Sequence, residues 1–166
     1  MKTIFFFLIF ALLMTACGGK DDADTATPGS DTFMKATVAG KPFSTTGTGS
    51  PSDTRGASAV FQQSNSTLYL NGNNGTTFLA VVVDKFPRAT GTFLLGDIIA
   101  GRGGNFTDNT DSSNPIVYFG KSGTLTVTKF DGKTMEGTFS YTTYNKTLNK
   151  EVQVTNGEFK VIYEEI

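Results

Sequence analysis

The chain has 166 residues, 38% hydrophobic and 17% charged, with a net charge of −1, one Cys, no His and no Trp. This is the size and make-up of one modest domain, neither disordered throughout nor built of membrane-spanning segments. Without His and with a single Cys the chain holds no Ser-His-Asp triad, Cys-His pair or His/Cys zinc site, and without a basic excess no nucleic-acid partner is expected.

Lys2 gives the N-terminus a positive start, and Ile4 to Met14 is an unbroken apolar run of eleven residues. That length suits the core of a signal peptide and is too short to span a bilayer as a helix, which takes about 20 residues. The run ends in Met14-Thr15-Ala16-Cys17-Gly18, which resembles a lipobox, the site where bacterial lipoproteins receive diacylglycerol on the Cys sulfur before cleavage ahead of it. Residues 1–16 are therefore expected to be a lipoprotein signal peptide and Cys17 the lipidated mature N-terminus. No second Cys exists to pair with it, and acyl chains at about 0.8 kcal/mol per buried CH₂ would hold the protein on a membrane.

Residues 17–31 are rich in Gly, Ala, Thr, Ser, Pro and charge, the composition of a solvated, flexible tether. Within them Lys20-Asp21-Asp22 resembles the export signal by which Bacteroidetes lipoproteins reach the outer face of the outer membrane. The resemblance favours surface display over periplasmic retention. Asp24-Thr25-Ala26 resembles the short O-glycosylation motif of the same bacteria, which would place a glycan on Thr25. The sequons at Asn65, Asn74, Asn105 and Asn145 are read as chance in a chain rich in Asn and Thr.

Residues 32–166 read as a single all-β domain. Thr, Gly, Phe, Val and Asn dominate, no helical apolar period is present, and alternation of period two is plain at Leu68/Leu70, Leu125/Val127 and Met135/Phe139/Tyr141. Thr77 to Val83 is apolar on both faces, as in a central strand covered on each side or facing a second sheet. Turn signals separate the runs at Ala39-Gly40-Lys41-Pro42, Asn71 to Gly75, Phe86-Pro87, Asp131-Gly132 and Asn156-Gly157. The expected strands are 33–38, 41–45, 58–63, 66–72, 76–84, 91–95, 116–121, 123–130, 134–144 and 151–163, the last broken at Asn156-Gly157. About ten short strands joined by tight turns imply an antiparallel meander that closes as a barrel-like sheet or folds into a two-sheet sandwich. The expected core is Leu68, Leu70, Phe78, Ala80, Val82, Leu125, Val127, Phe139 and Phe159. Eleven Phe from Cys17 onward are bulk enough to fill it without a wide cavity. Phe86-Pro87-Arg88 is expected to shape one rim. Gly precedes a strand aromatic in Gly91-Thr92-Phe93, Gly137-Thr138-Phe139 and Gly157-Glu158-Phe159, where it should mark bulges or bends.

The lipobox, the charged tether, Thr37-Val38-Ala39-Gly40-Lys41-Pro42-Phe43, Ala89-Thr90-Gly91-Thr92-Phe93, and the terminal Gly137-Thr138-Phe139-Ser140-Tyr141 with Val154-Thr155-Asn156-Gly157-Glu158-Phe159 together resemble a family of small Bacteroidetes lipoproteins of unknown function. The resemblance implies a β domain on an outer-membrane lipid anchor. Its motifs are strands and turns, so it carries no catalytic residue.

Chemistry is sparse. Asn105 to Asn114 is the most polar stretch, and Asp108 and Asp111 could offer oxygen ligands to Ca²⁺. Thr110 and Ser112 stand where a calcium loop needs acidic residues, so a solvated loop is favoured. Gly120-Lys121-Ser122 lacks a phosphate loop, since Pro115 occupies the position of its first Gly, and no cofactor is expected. A glycosidase-like pair would require two of Asp84, Asp97, Asp131 and Glu136 to face each other across a cleft. Tyr69, Tyr118, Phe119, Tyr141, Tyr144 and Tyr163 include candidates for surface aromatics that contact a glycan or protein ligand, although cross-strand packing accounts for any one of them more simply. The expectation is a non-catalytic surface binding or structural module, with a hydrolase or inhibitor acting on envelope polymers as the alternative.

Overall fold

The computed structural model describes residues 31–48, 55–97 and 100–166. The signal segment, Cys17, Lys20, Asp21, Asp22 and Thr25 lie outside the described residues. Ten strands follow one another: β1 (Phe33–Val38), β2 (Lys41–Thr46), β3 (Gly56–Gln62), β4 (Thr67–Asn73), β5 (Thr77–Val83), β6 (Gly91–Leu95), β7 (Arg102–Asp108), β8 (Ile116–Phe130), β9 (Thr134–Asn145) and β10 (Lys150–Glu165).

Strands β10, β3, β4, β5, β7, β8 and β9 close into a ring of seven, with the β1–β2 hairpin appended at β10 and β6 at β8. The ring is not a regular barrel. β8 and β10 are long enough to pass from one sheet into another. β8 pairs with β7 through Ile116–Tyr118 and then with β6 through Gly123–Val127. β10 pairs with β1 through Val154–Lys160 and then with β3 through Tyr163–Glu165. The closing and the doubling forms left open by the sequence are thus combined in one ring of seven strands.

Five expectations need correction. Neighbours in sequence do not all pair: β2 and β3, β5 and β6, and β6 and β7 are separated, and β3 joins β10 in parallel. The strands expected at 116–121 and 123–130 are one strand, bent where the register with β9 slips between Gly120 and Ser122. β10 likewise runs through Asn156-Gly157 with a bulge rather than a break. β7 falls in a stretch read as loop, and β5 faces the other way. Leu79, Val81 and Val83 are buried in the core, while Phe78 and Val82 lie half-buried on the outer face. Ala80 shares that outer face although little of it is exposed, and the other six expected core residues are buried in the core.

The three Gly-x-Phe segments lie in one band across the sheet. Gly137 pairs with Phe159 and Phe139 with Gly157, so each ring covers the bare backbone of the opposite glycine. Gly91 and Phe93 meet Val127 and Leu125 of β8, which meet Gly137 and Phe139 in turn. Gly157 sits at the β10 bulge and Gly137 beside a second register slip, between Val127 and Lys129 of β8, where extra curl closes the ring.

The two ends of the ring differ. At one end Phe61, Phe86, Phe93, Phe130 and Tyr163 pack as a plug, with ring centroids 4.8 to 6.4 Å apart. Arg88 lies 4.4 Å over Phe61 and reaches Glu165 at 3.4 Å. The Tyr163 hydroxyl donates to Glu165, and burial together with that carboxylate raises its pKa to about 12. The Phe86-Pro87-Arg88 rim is therefore a lid of aromatic rings. The opposite end is open.

Candidate functional site

The open end is a cleft of about 470 Å³ between the β1–β2 turn, the β4–β5 turn, the end of β7 and the starts of β8 and β10. None of the nine expected core residues lines it, so it is a mouth at one end of a filled interior.

Each wall follows from local chemistry. The β1–β2 turn holds Ala39 and Gly40 at φ of 49° and 78°, the left-handed pair of a two-residue hairpin, and this turn presents Lys41. In the β4–β5 turn Asn74 Oδ1 accepts from the N–H groups of Thr76 and Thr77 at 3.2 and 2.8 Å. Its carbonyl is consumed by the turn, and its amide nitrogen has no acceptor among the described residues and is left as a donor. Asn109 N–H then bonds Thr76 O at 2.8 Å and ties this turn to the end of β7. Asp108 Oδ1 accepts from the N–H and hydroxyl of Thr110 at 3.0 and 2.6 Å. Those two bonds, and after them the charges of Lys41 and Lys150, hold the Asp108 carboxyl below its ordinary value.

The floor is apolar. Phe106 and Tyr118 stack with centroids 5.1 Å apart, beside Phe43, Val38 and Val152, all buried. Tyr118 is buried as a ring, yet its hydroxyl makes no hydrogen bond among the described residues. Tyr118 lines the cleft, and among the described residues Asn105 Oδ1 is the buried side-chain polar atom without a partner. Lys41 and Lys150 are exposed and form no ion pair among the described residues, unlike Lys35, Lys121, Lys129 and Lys160, which pair with Glu158, Glu151, Glu136 and Asp31.

The residues singled out from the sequence scatter. Asp108 lines the cleft, whereas Asp111 Oδ1 accepts from Ser113 N–H in the following turn. Each acid serves its own turn, and among the described residues no three His, Cys, Asp or Glu are grouped to hold a metal ion. None of Asp84, Asp97, Asp131 and Glu136 lines the cleft. Asp131 closes the β8–β9 turn and Glu136 pairs with Lys129 on the outer face. Of the candidate surface aromatics, Tyr118, Tyr141 and Tyr163 are buried, Tyr69 and Tyr144 half-buried and Phe119 exposed. Lys41, Lys150 and Asn74 were not marked as a site by any sequence motif, because they converge from three turns far apart in the chain.

Comparison with known proteins found no matching protein family, no matching curated protein and no matching solved structure.

Proposed function

We propose that the protein is a non-catalytic binding module, held at the outer membrane by lipid on Cys17 and displayed outward, whose open-end cleft receives a saccharide ligand. The observation that carries the binding role is the asymmetry of the ring: one end is plugged by five aromatic side chains, while the other keeps a cleft in which the Tyr118 hydroxyl, the Asn74 amide nitrogen and the Lys41 and Lys150 ammonium groups have no hydrogen-bond or ion-pair partner among the described residues. A cleft of this volume falls within the usual range for small-ligand sites. Its donors, the Tyr118 hydroxyl, the Asn74 amide and the two ammonium groups, suit an oxygen-rich ligand. One carboxylate, Asp108, lines the cleft, and it is already occupied by Thr110. That supports binding over hydrolysis, which would call for two acids facing across the bond. The anchor and its outward display rest on the Thr15-Ala16-Cys17 and Lys20-Asp21-Asp22 segments.

Two experiments test this. Thr76→Trp, on an exposed turn at the cleft, fills the space while sparing the backbone bonds of that turn. It is expected to abolish capture of oligosaccharides from a glycan array with an unchanged melting temperature, and full retention of capture would remove the cleft from the function. Cys17→Ser is expected to release the protein from membrane fractions and to remove the mass of the lipid from its N-terminal peptide. A variant that stays membrane-bound would refute the anchor.

A further inference from the structure

We infer that the cleft selects saccharides carrying a negative charge, with Lys41 and Lys150 as the residues that read it. This deepens the proposed saccharide binding and rests on it. The protein is slightly acidic overall, yet two of its unpaired cations stand on the rim of the same cleft, delivered by two separate turns, the β1–β2 turn and the β9–β10 turn. The single carboxylate between them does not neutralise both. Its Oδ1 is taken by Thr110, and no ion pair within 4.0 Å joins it to either lysine among the described residues. An uncommitted ammonium in a partly enclosed mouth attracts an anion more strongly than the same group on an open face, because low-dielectric walls concentrate its field.

The remaining groups fit the uncharged part of the same ligand. Tyr118 offers a hydroxyl from a rigid ring clamped against Phe106, and Asn74 an amide whose carbonyl is fixed by its turn. Both are held before any ligand arrives, so their ordering adds little to the cost of binding. Charge at the rim, a neutral amide in the wall and a phenol at the floor describe an acidic oligosaccharide: a sugar ring entering among the neutral groups, its carboxylate or sulfate held between the lysines.

The test uses the full chain in detergent and titrates it by calorimetry with galacturonate hexamers, with the same hexamers after reduction of their carboxyls to alcohols, and with sulfated dextran oligomers. The galacturonate is expected to bind at least tenfold tighter than its reduced form, and to weaken about tenfold between 50 and 500 mM NaCl. K41A/K150A should bring the galacturonate down to the affinity of the reduced hexamer for the same variant, and K41R/K150R should restore the preference. Tighter binding of sulfated dextran than of galacturonate would support charge recognition and identify the sulfate ester as its source. Equal binding of charged and reduced hexamers, both blocked by Thr76→Trp, would overturn the selectivity and leave saccharide binding standing. Failure of every oligosaccharide to bind would overturn both.

Discussion

Gly104 of β7 faces the ring of Tyr141 from the opposite sheet, and a methyl group in its place would stand about 2.5 Å from Tyr141 Cγ. The ring cannot step aside: it is buried, its hydroxyl donates to Asn105 O at 2.8 Å, and burial pushes its phenol pKa far above the ordinary range. Gly104→Ala is therefore expected to cost about 1–3 kcal/mol as overpacking, read as a lower urea midpoint with the slope unchanged. A midpoint equal to that of the parent chain would show that β7 and Tyr141 are not packed as described. Nothing in Gly101-Arg102-Gly103-Gly104 announces this contact, because its partner lies 37 residues away in another strand. Cys17 is the contrary case, since everything that singles it out is adjacent in the chain. The same distinction explains why Tyr118 could be named as a candidate aromatic but not as the floor of a cleft. Alternation tells which residues share a face, and says nothing of what stands across from them.

At the level of strands and turns, Asp131 controls the β8–β9 hairpin. Its Oδ1 accepts from the N–H groups of Lys133 and Thr134 at 2.9 and 2.7 Å, and its Oδ2 from the Thr134 hydroxyl at 2.8 Å. These bonds to the ionised form lower its pKa from 3.8 to about 2. A carboxyl whose folded value is depressed binds fewer protons in the native state than in the unfolded chain. Its contribution is complete above the unfolded value and is lost as pH falls through the folded one. Urea midpoints should thus fall between pH 4 and pH 2, and in Asp131→Asn, which keeps the amide acceptor and removes the charge, that fall should be smaller. An identical pH profile for the two chains would contradict the role given to this side chain. Asp131-Gly132 was legible as a turn because both residues act locally. β7 was not, since Gly103, Gly104 and Asn105 have weak strand preference and their extension is imposed by pairing with β5 and β8. β5 failed for a different reason: with apolar residues on both faces, alternation cannot choose between Phe78-Ala80-Val82 and Leu79-Val81-Val83. The choice is made by the register with β4 and β7, which aligns Leu79 with Gly72 and Phe106.

For the whole molecule, the all-β class and a sheet that closes or doubles followed from composition and spacing, whereas the route by which the ring closes did not, and the count of ten agrees only because the splitting of β8 offsets the missed β7. The closure of the ring depends on the last residues of β10 reaching β3 in parallel, a contact between segments about a hundred residues apart that no local pattern encodes. That closure places the aromatic plug and the cleft at opposite ends of one body. Sites so separated with no shared partner add nearly independently. Phe86 is buried within the plug and touches Phe61, Phe93 and Phe130, so Phe86→Ala is expected to cost about 3–5 kcal/mol, as large-to-small changes of buried Phe do. Because Phe86 is absent from the cleft wall, the same variant, measured where it is still folded, should bind oligosaccharides within about twofold of the parent chain. K41A/K150A should show the reverse, a melting temperature near that of the parent with altered ligand preference, since exposed unpaired lysines contribute little to stability. A large loss of affinity in Phe86→Ala would mean that the ends are coupled through the strands between them, and the plug would then be part of the binding device rather than a seal.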